Sequence, residues 1–229
     1  MRALFVGALA ALVALPVGAT DEPPSWKEVG ASQNNIKQIA LATMAHSDTF
    51  DGKMPTDISD KNGKPLLSWR VHILPFLEHE ALYKQFKLDE AWDSDNNKKL
   101  IALLPKVYAP IRVKAQAGET FYQRFTGPDA LFDAGRQPKF PASITDGTYN
   151  TIMVIEAGAP VVWTKPADLI YDSKKPLPKL GGMFDGNFNI GRCDGSALWV
   201  KKGFDEKTFR AAVTPAGGET FDWTDLYKK

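Results

Sequence analysis

The chain has 229 residues, of which 44% are hydrophobic and 24% charged, a balance that specifies a packed core and excludes a disordered or coiled-coil chain. Its 28 Lys and Arg against 27 Asp and Glu leave a formal net charge of +1, so no sequence-wide field is available to steer nucleic acid or anionic lipid. The lone cysteine, Cys193, excludes an internal disulfide, and no cluster of metal-ligand spacing is present.

Arg2 precedes an apolar run from Ala3 to Val17, and Val17-Gly18-Ala19 supplies the small residues a signal peptidase requires. The run falls short of the roughly 20 apolar residues of a membrane span before Asp21-Glu22-Pro23-Pro24 intervenes. The expectation is a signal peptide over residues 1–19, a single globular α+β domain over 20–229, and an exported chain, periplasmic or extracellular, with no stable membrane span after cleavage.

Thr20 to Glu28 reads as a polar lead-in. From Val29 to His46, Ile36, Ile39, Ala40, Thr43 and Met44 recur at three- and four-residue steps and predict a long helix, closed by Asp51-Gly52-Lys53-Met54-Pro55. Leu66–Leu74 and Phe76–Tyr83 read as two short helices divided near Pro75, and Asn96–Leu104 as a third. After Pro110, β-branched and aromatic residues bounded by Gly and Asp predict strands at Phe121–Phe125, Thr151–Glu156 and Phe188–Val200. Asp194-Gly195 inside the last of these predicts a tight hairpin. The connection carrying Trp163, Asp168 and Lys174–Lys179 is expected to run over the surface. Asp205 is read as the cap of a final short helix, Glu206–Val213.

The chemistry-bearing residues point to no reaction. His72 and His79 are seven apart across Pro75, not the i, i+4 spacing that places two imidazoles on one metal. Gly-x-Ser-x-Gly, Walker and Gly-x-Gly-x-x-Gly signatures are missing, so the chain is expected not to be an enzyme and to need no cofactor. Cys193, with no His beside it, reads as a small buried residue. Trp163, Asp168, Asp185, Asn187 and Asp194 form the candidate ligand surface, because rings stack on sugar faces while acids hold hydroxyls. A pair of these acids in one cleft would fit glycoside hydrolysis, and Asp185, Asn187, Asn189 and Asp194 would present oxygen ligands for calcium; Asp in Asp-Gly is equally a turn residue.

Five ordered motifs resemble a known family. They are Ser32-x-Asn34-Asn35-Ile36-Lys37-Gln38-Ile39, Ser68-Trp69-Arg70-Val71-x-Ile73-Leu74-Pro75-Phe76-Leu77-Glu78, Trp92-Asp93-Ser94-x-Asn96-Asn97, Ile144-Thr145-Asp146-Gly147-Thr148-x-Asn150-Thr151 and Asp194-Gly195-Ser196. As a set they are similar to the family called domain of unknown function 1559, also catalogued as solute-binding protein family 10, which is abundant in planctomycete bacteria. The resemblance implies a pilin-like or pseudopilin-like fold: a long N-terminal helix and short helices packed on an antiparallel sheet. It also implies partners among envelope or secretion-system proteins. Residues 1–19 lack the Phe-x-x-x-Glu prepilin signature of many members, and Phe184 stands where many carry a His ten residues before the Asp-Gly turn, so no role of that His transfers. A structural or interaction protein of the cell envelope is the leading expectation, and an extracytoplasmic glycan- or solute-binding module the alternative.

Overall fold

The computed structural model describes residues 22–133 and 135–227, so the expected leader over residues 1–19 lies outside the described residues. Helix α1, Trp26–Thr49, begins before Val29. Ser25 Oγ accepts from the Glu28 N–H at 3.2 Å and Glu28 Oε2 accepts from the Ser25 N–H at 2.8 Å, a reciprocal cap that satisfies two otherwise orphaned donors. The inward face carries Val29, Ile36 and Ile39 together with Ser32, Thr43 and Ser47. Thr43 and Ser47 satisfy their hydroxyls by donating back to the carbonyls of Ile39 and Thr43.

The main sheet is antiparallel throughout, with strands β3 (Glu119–Gln123), β5 (Ile152–Val162), β7 (Phe188–Arg192) and β8 (Ala197–Val200) side by side in the order β3-β5-β7-β8. Along β7 the two-residue period sorts side chains between faces. Phe188 and Ile190 pack against Phe209, Ala212 and Val213 of α4 (Glu206–Val213), whereas Gly191 lies under Ile36 of α1. With both faces covered, every residue of β7 is buried. The α1 backbone reaches the sheet because residue 191 has no Cβ: one placed there would stand 2.5 Å from Ile36 Cγ2 and 2.7 Å from Val154 Cγ1. Gly191→Ala is expected to cost about 1–3 kcal/mol by overpacking, read from the denaturant midpoint.

Two small ribbons complete the fold: β1 (Ile58–Ser59) with β2 (Pro65–Leu67), antiparallel, and β4 (Phe125–Thr126) with β6 (Leu169–Ile170), parallel. The fold is α+β as expected, and α4 with its Asp205 cap has the expected bounds. The β7–β8 hairpin is also present; the Arg192 N–H donates to the Ser196 carbonyl just beyond the last pair of the ladder, and the loop this closes holds three residues, Cys193 to Gly195, with Gly195 at φ +85°.

The middle of the chain departs from expectation. Leu66 and Leu67 belong to β2, and the helical stretch contracts to α2 (Trp69–His72), a 3-10 turn at Leu74–Leu77 and α3 (Glu80–Tyr83). Two short helices are present and Pro75 lies between them, at the start of the 3-10 turn, where a missing N–H costs nothing. The expected helix at Asn96–Leu104 is a 3-10 turn, Asn97–Leu100, because the buried Asn97 side chain binds loop backbone instead. Its Oδ1 accepts from the Lys87 N–H, and its Nδ2 donates to the carbonyls of Lys87, Glu90 and Ala91.

Candidate functional site

The five residues expected to form a ligand surface do not come together. Trp163 is wholly buried, its Nε1 donating to the Ile101 carbonyl at 2.9 Å and its ring meeting Phe86 and Tyr108. The connection that holds it therefore does not present its rings to solvent: Tyr171 is 1% exposed, and Ile170 is the large apolar side chain left outside. Asp168 is buried in an ion-pair network. Asp185, itself 41% exposed, pairs with the buried Arg112 guanidinium at 3.3 Å. Asn187 is consumed locally, accepting from the Lys202 N–H and donating to the Phe184 carbonyl. Asp194 folds onto its own turn by accepting from the Ser196 N–H. Asp185 and Asp194 flank opposite ends of β7, about 16 Å of strand, too far apart for one calcium ion or one glycosidic bond. Asn189 faces Glu156 instead. Cys193 is buried in the hairpin loop, where burial pushes its thiol up and away from the reactive thiolate.

Three polar clusters that sequence spacing does not reveal are built between elements. In the first, Arg70 of α2 donates from Nε to the Tyr122 carbonyl at 2.8 Å, from Nη1 to Ser68 Oγ at 2.7 Å and from Nη2 to Asp168 Oδ1 at 2.6 Å. Asp168 also accepts from Trp69 Nε1 at 2.9 Å and from the Arg124 N–H at 3.1 Å. Burial pushes the Asp168 carboxyl up and the Arg70 and Arg124 guanidiniums oppose it. Every hydrogen-bonding neighbour donates, so the ionised acid is the form these contacts satisfy. Arg124 lies between the rings of Trp69 and Phe132, at 5.0 and 3.9 Å, and donates to the Pro55 carbonyl. It forms the floor of a cleft of about 410 Å³ whose rim includes Asp57, Asp133, Arg136 and Gln137.

The second cluster joins α1 to the sheet. Glu156 of β5 is fully buried and accepts from Ser32 Oγ, from the Asn189 N–H at 2.7 Å and from Asn189 Nδ2 at 3.0 Å. Ser32 in turn shares a hydrogen with Tyr122 at 2.6 Å, and Asn35 donates to the same phenol at 3.2 Å. Burial raises the Glu156 carboxyl to about 7 against these donors.

The third cluster brings together His46, near the end of α1, and His72, at the end of α2, with Nε2 atoms 3.3 Å apart. His46 Nδ1 faces the Lys53 carbonyl at 3.2 Å and His72 Nδ1 faces the Thr56 carbonyl at 3.0 Å. Phe50 and Phe76 close around the His46 ring. The partners are 26 positions apart, so only the fold identifies the pair.

These features define an α+β domain whose long helix is fastened to an antiparallel sheet by buried polar groups. The model of the family described as a protein of unknown function (DUF1559) matches residues 31–136, the family that the five motifs resemble. Comparison with curated proteins and with solved structures gives no significant match. The motif residues mainly have structural work: Ser32 and Asn35 in the Glu156 cluster, Ser68 and Arg70 in the Asp168 cluster, Asn97 in its loop. Asp146 likewise accepts from the Gly217 and Gly218 N–H groups. Among the described residues no helix is long and apolar enough to cross a membrane.

Proposed function

We propose that the chain is an exported cell-envelope protein that serves as a pilin-like structural or interaction domain and performs no catalysis of its own. The observation that carries this reading is an aromatic groove where the start of α1 meets edge strand β8, lined by Trp26, Gln33, Leu198, Trp199, Lys201 and Tyr227. Trp26 is 77% exposed there, and rings with a polar handle are the side chains that anchor protein interfaces. The apolar run Ala3–Val17 supports export, and the long helix laid on an antiparallel sheet supports the pilin-like reading.

The test is fractionation of the native host with sequencing of the mature N-terminus, combined with photo-crosslinking from position 26 or 199 and from Leu103 as an exposed control. The expected result is an envelope or extracellular chain beginning at Thr20, with adducts to envelope proteins from the groove positions only. A cytoplasmic chain that keeps residues 1–19, or adducts equal to those of the control, rejects the reading.

A second reading, a solute-binding module, is favoured by the charged cleft above Arg124, whose volume falls among those of small-molecule sites. It predicts a solute-dependent rise in Tm that Arg136→Ala or Gln137→Ala abolishes, with no crosslinks from the groove.

A further inference from the structure

We infer that His46 and His72 form a binding site for a divalent transition-metal ion of the zinc class, held by the two Nε2 atoms. The inference rests on a count of hydrogens. Three contacts are made: His46 Nδ1 to the Lys53 carbonyl, His72 Nδ1 to the Thr56 carbonyl, and Nε2 to Nε2. A carbonyl only accepts, so each Nδ1 must carry a hydrogen, and a neutral imidazole has only one. Both Nε2 lone pairs are then bare and face each other at 3.3 Å. Two neutral rings supply two hydrogens where three are needed, so the pair is completed by one further cation, either a proton or a metal ion.

The spacing favours the metal: a proton held between two nitrogens makes a charge-assisted hydrogen bond of about 2.7–2.9 Å, shorter than the 3.3 Å between these two. The geometry agrees: zinc–nitrogen bonds of about 2.05 Å at a tetrahedral angle place two ligand nitrogens about 3.3 Å apart. An Nδ1–H held by a backbone carbonyl is the outer contact that fixes a ligating imidazole in orientation and tautomer. Among the described residues no third His, Cys, Asp or Glu joins the two nitrogens, so the remaining positions would fall to water. Imidazole suits zinc, copper and nickel and does not suit calcium or magnesium.

The test is titration of the untagged chain with zinc chloride at pH 7.5, followed calorimetrically, with cobalt(II) absorption as a second readout of tetrahedral coordination. One zinc per chain is expected, with affinity falling more than about tenfold in His46→Gln and in His72→Gln and unchanged in His79→Gln. Nitrogen-15 spectra of the metal-free wild type, which need no variant to fold, are expected to show bare Nε2 atoms on both rings. The inference is overturned by a wild type that takes up no zinc, by either variant binding like the wild type, or by a doubly protonated ring in the metal-free spectra.

Discussion

Asp168→Ala is expected to lower the stability of the chain by about 3–5 kcal/mol, the loss that follows when one partner of a buried ion pair is removed. The side chains of Arg70 and Asp168 are 0% and 2% exposed, so water does not replace the lost carboxylate. Arg124 is also buried and would lose its nearest negative charge but for Asp57, whose Oδ1 stands 3.9 Å from Arg124 Nη2. Arg70 would lose the carboxylate it pairs with, Trp69 Nε1 would lose its acceptor, and so would the Arg124 N–H. Asp185→Asn is the matched control. Asp185 is 41% exposed although its partner Arg112 is 2% exposed; Arg112 keeps Glu28 at 3.5 Å and the Asp185 side chain reaches water, so the loss is expected to be only about 1 kcal/mol. Asn also tolerates the left-handed backbone at φ +57°. Urea denaturation of both variants at pH 7 separates the two acids; equal midpoints would mean that the Arg70–Asp168 pair does not hold the connection against the sheet.

That contrast shows what the sequence could and could not say about these acids. Asp168 and Asp185 stand in similarly polar surroundings along the chain, and only the distant partners, Arg70 and Arg124 against Arg112, send one inside and leave the other at the surface. Local signals were legible. α4 has an apolar stripe behind a capping Asp205, and the β7–β8 hairpin carries Asp-Gly, so both formed where the pattern put them. The start of α1 is also a local signal, Ser25 followed three residues later by Glu28, but the polar residues around it read as a lead-in. Strand β5 runs on to Val162 through Gly158, Ala159 and Pro160, residues unfavourable to a strand. The ladder with β3 breaks register between Thr120 and Tyr122, so Ala157 to Pro160 bulge out, where the missing N–H of Pro160 breaks no ladder bond. The polar clusters were not legible because each joins residues far apart: 26 positions for His46 and His72, 98 for Arg70 and Asp168, 124 for Ser32 and Glu156.

The Glu156 cluster gives the second large effect, and its sign is opposite to that of an ordinary salt-bridged acid. Burial raises the folded-state carboxyl from 4.5 to about 7, so between these values the folded chain holds a proton that the unfolded chain has released. Stability from this group is complete below about pH 4.5 and is lost as pH rises through about 7, a total of about 3 kcal/mol at most. Glu156→Gln cannot ionise and should escape the loss. Its amide fits: Oε1 can accept from the Asn189 N–H, and Nε2 can donate to Asn189 Oδ1 once that side chain turns over, supplying an atom that has no hydrogen-bond partner in the wild type. Denaturation of wild type and variant at pH 5, 6, 7 and 8 is therefore expected to give a stability difference that moves in favour of Glu156→Gln by about 2–3 kcal/mol from the lowest pH to the highest. A difference that stays flat would mean that the three donors from Ser32 and Asn189 outweigh burial and keep the carboxylate ionised throughout. In that case Ser32→Ala, which removes one of those donors, should cost more at pH 8 than at pH 5; if instead burial dominates, the helix is fastened to the sheet most firmly while Glu156 is still protonated.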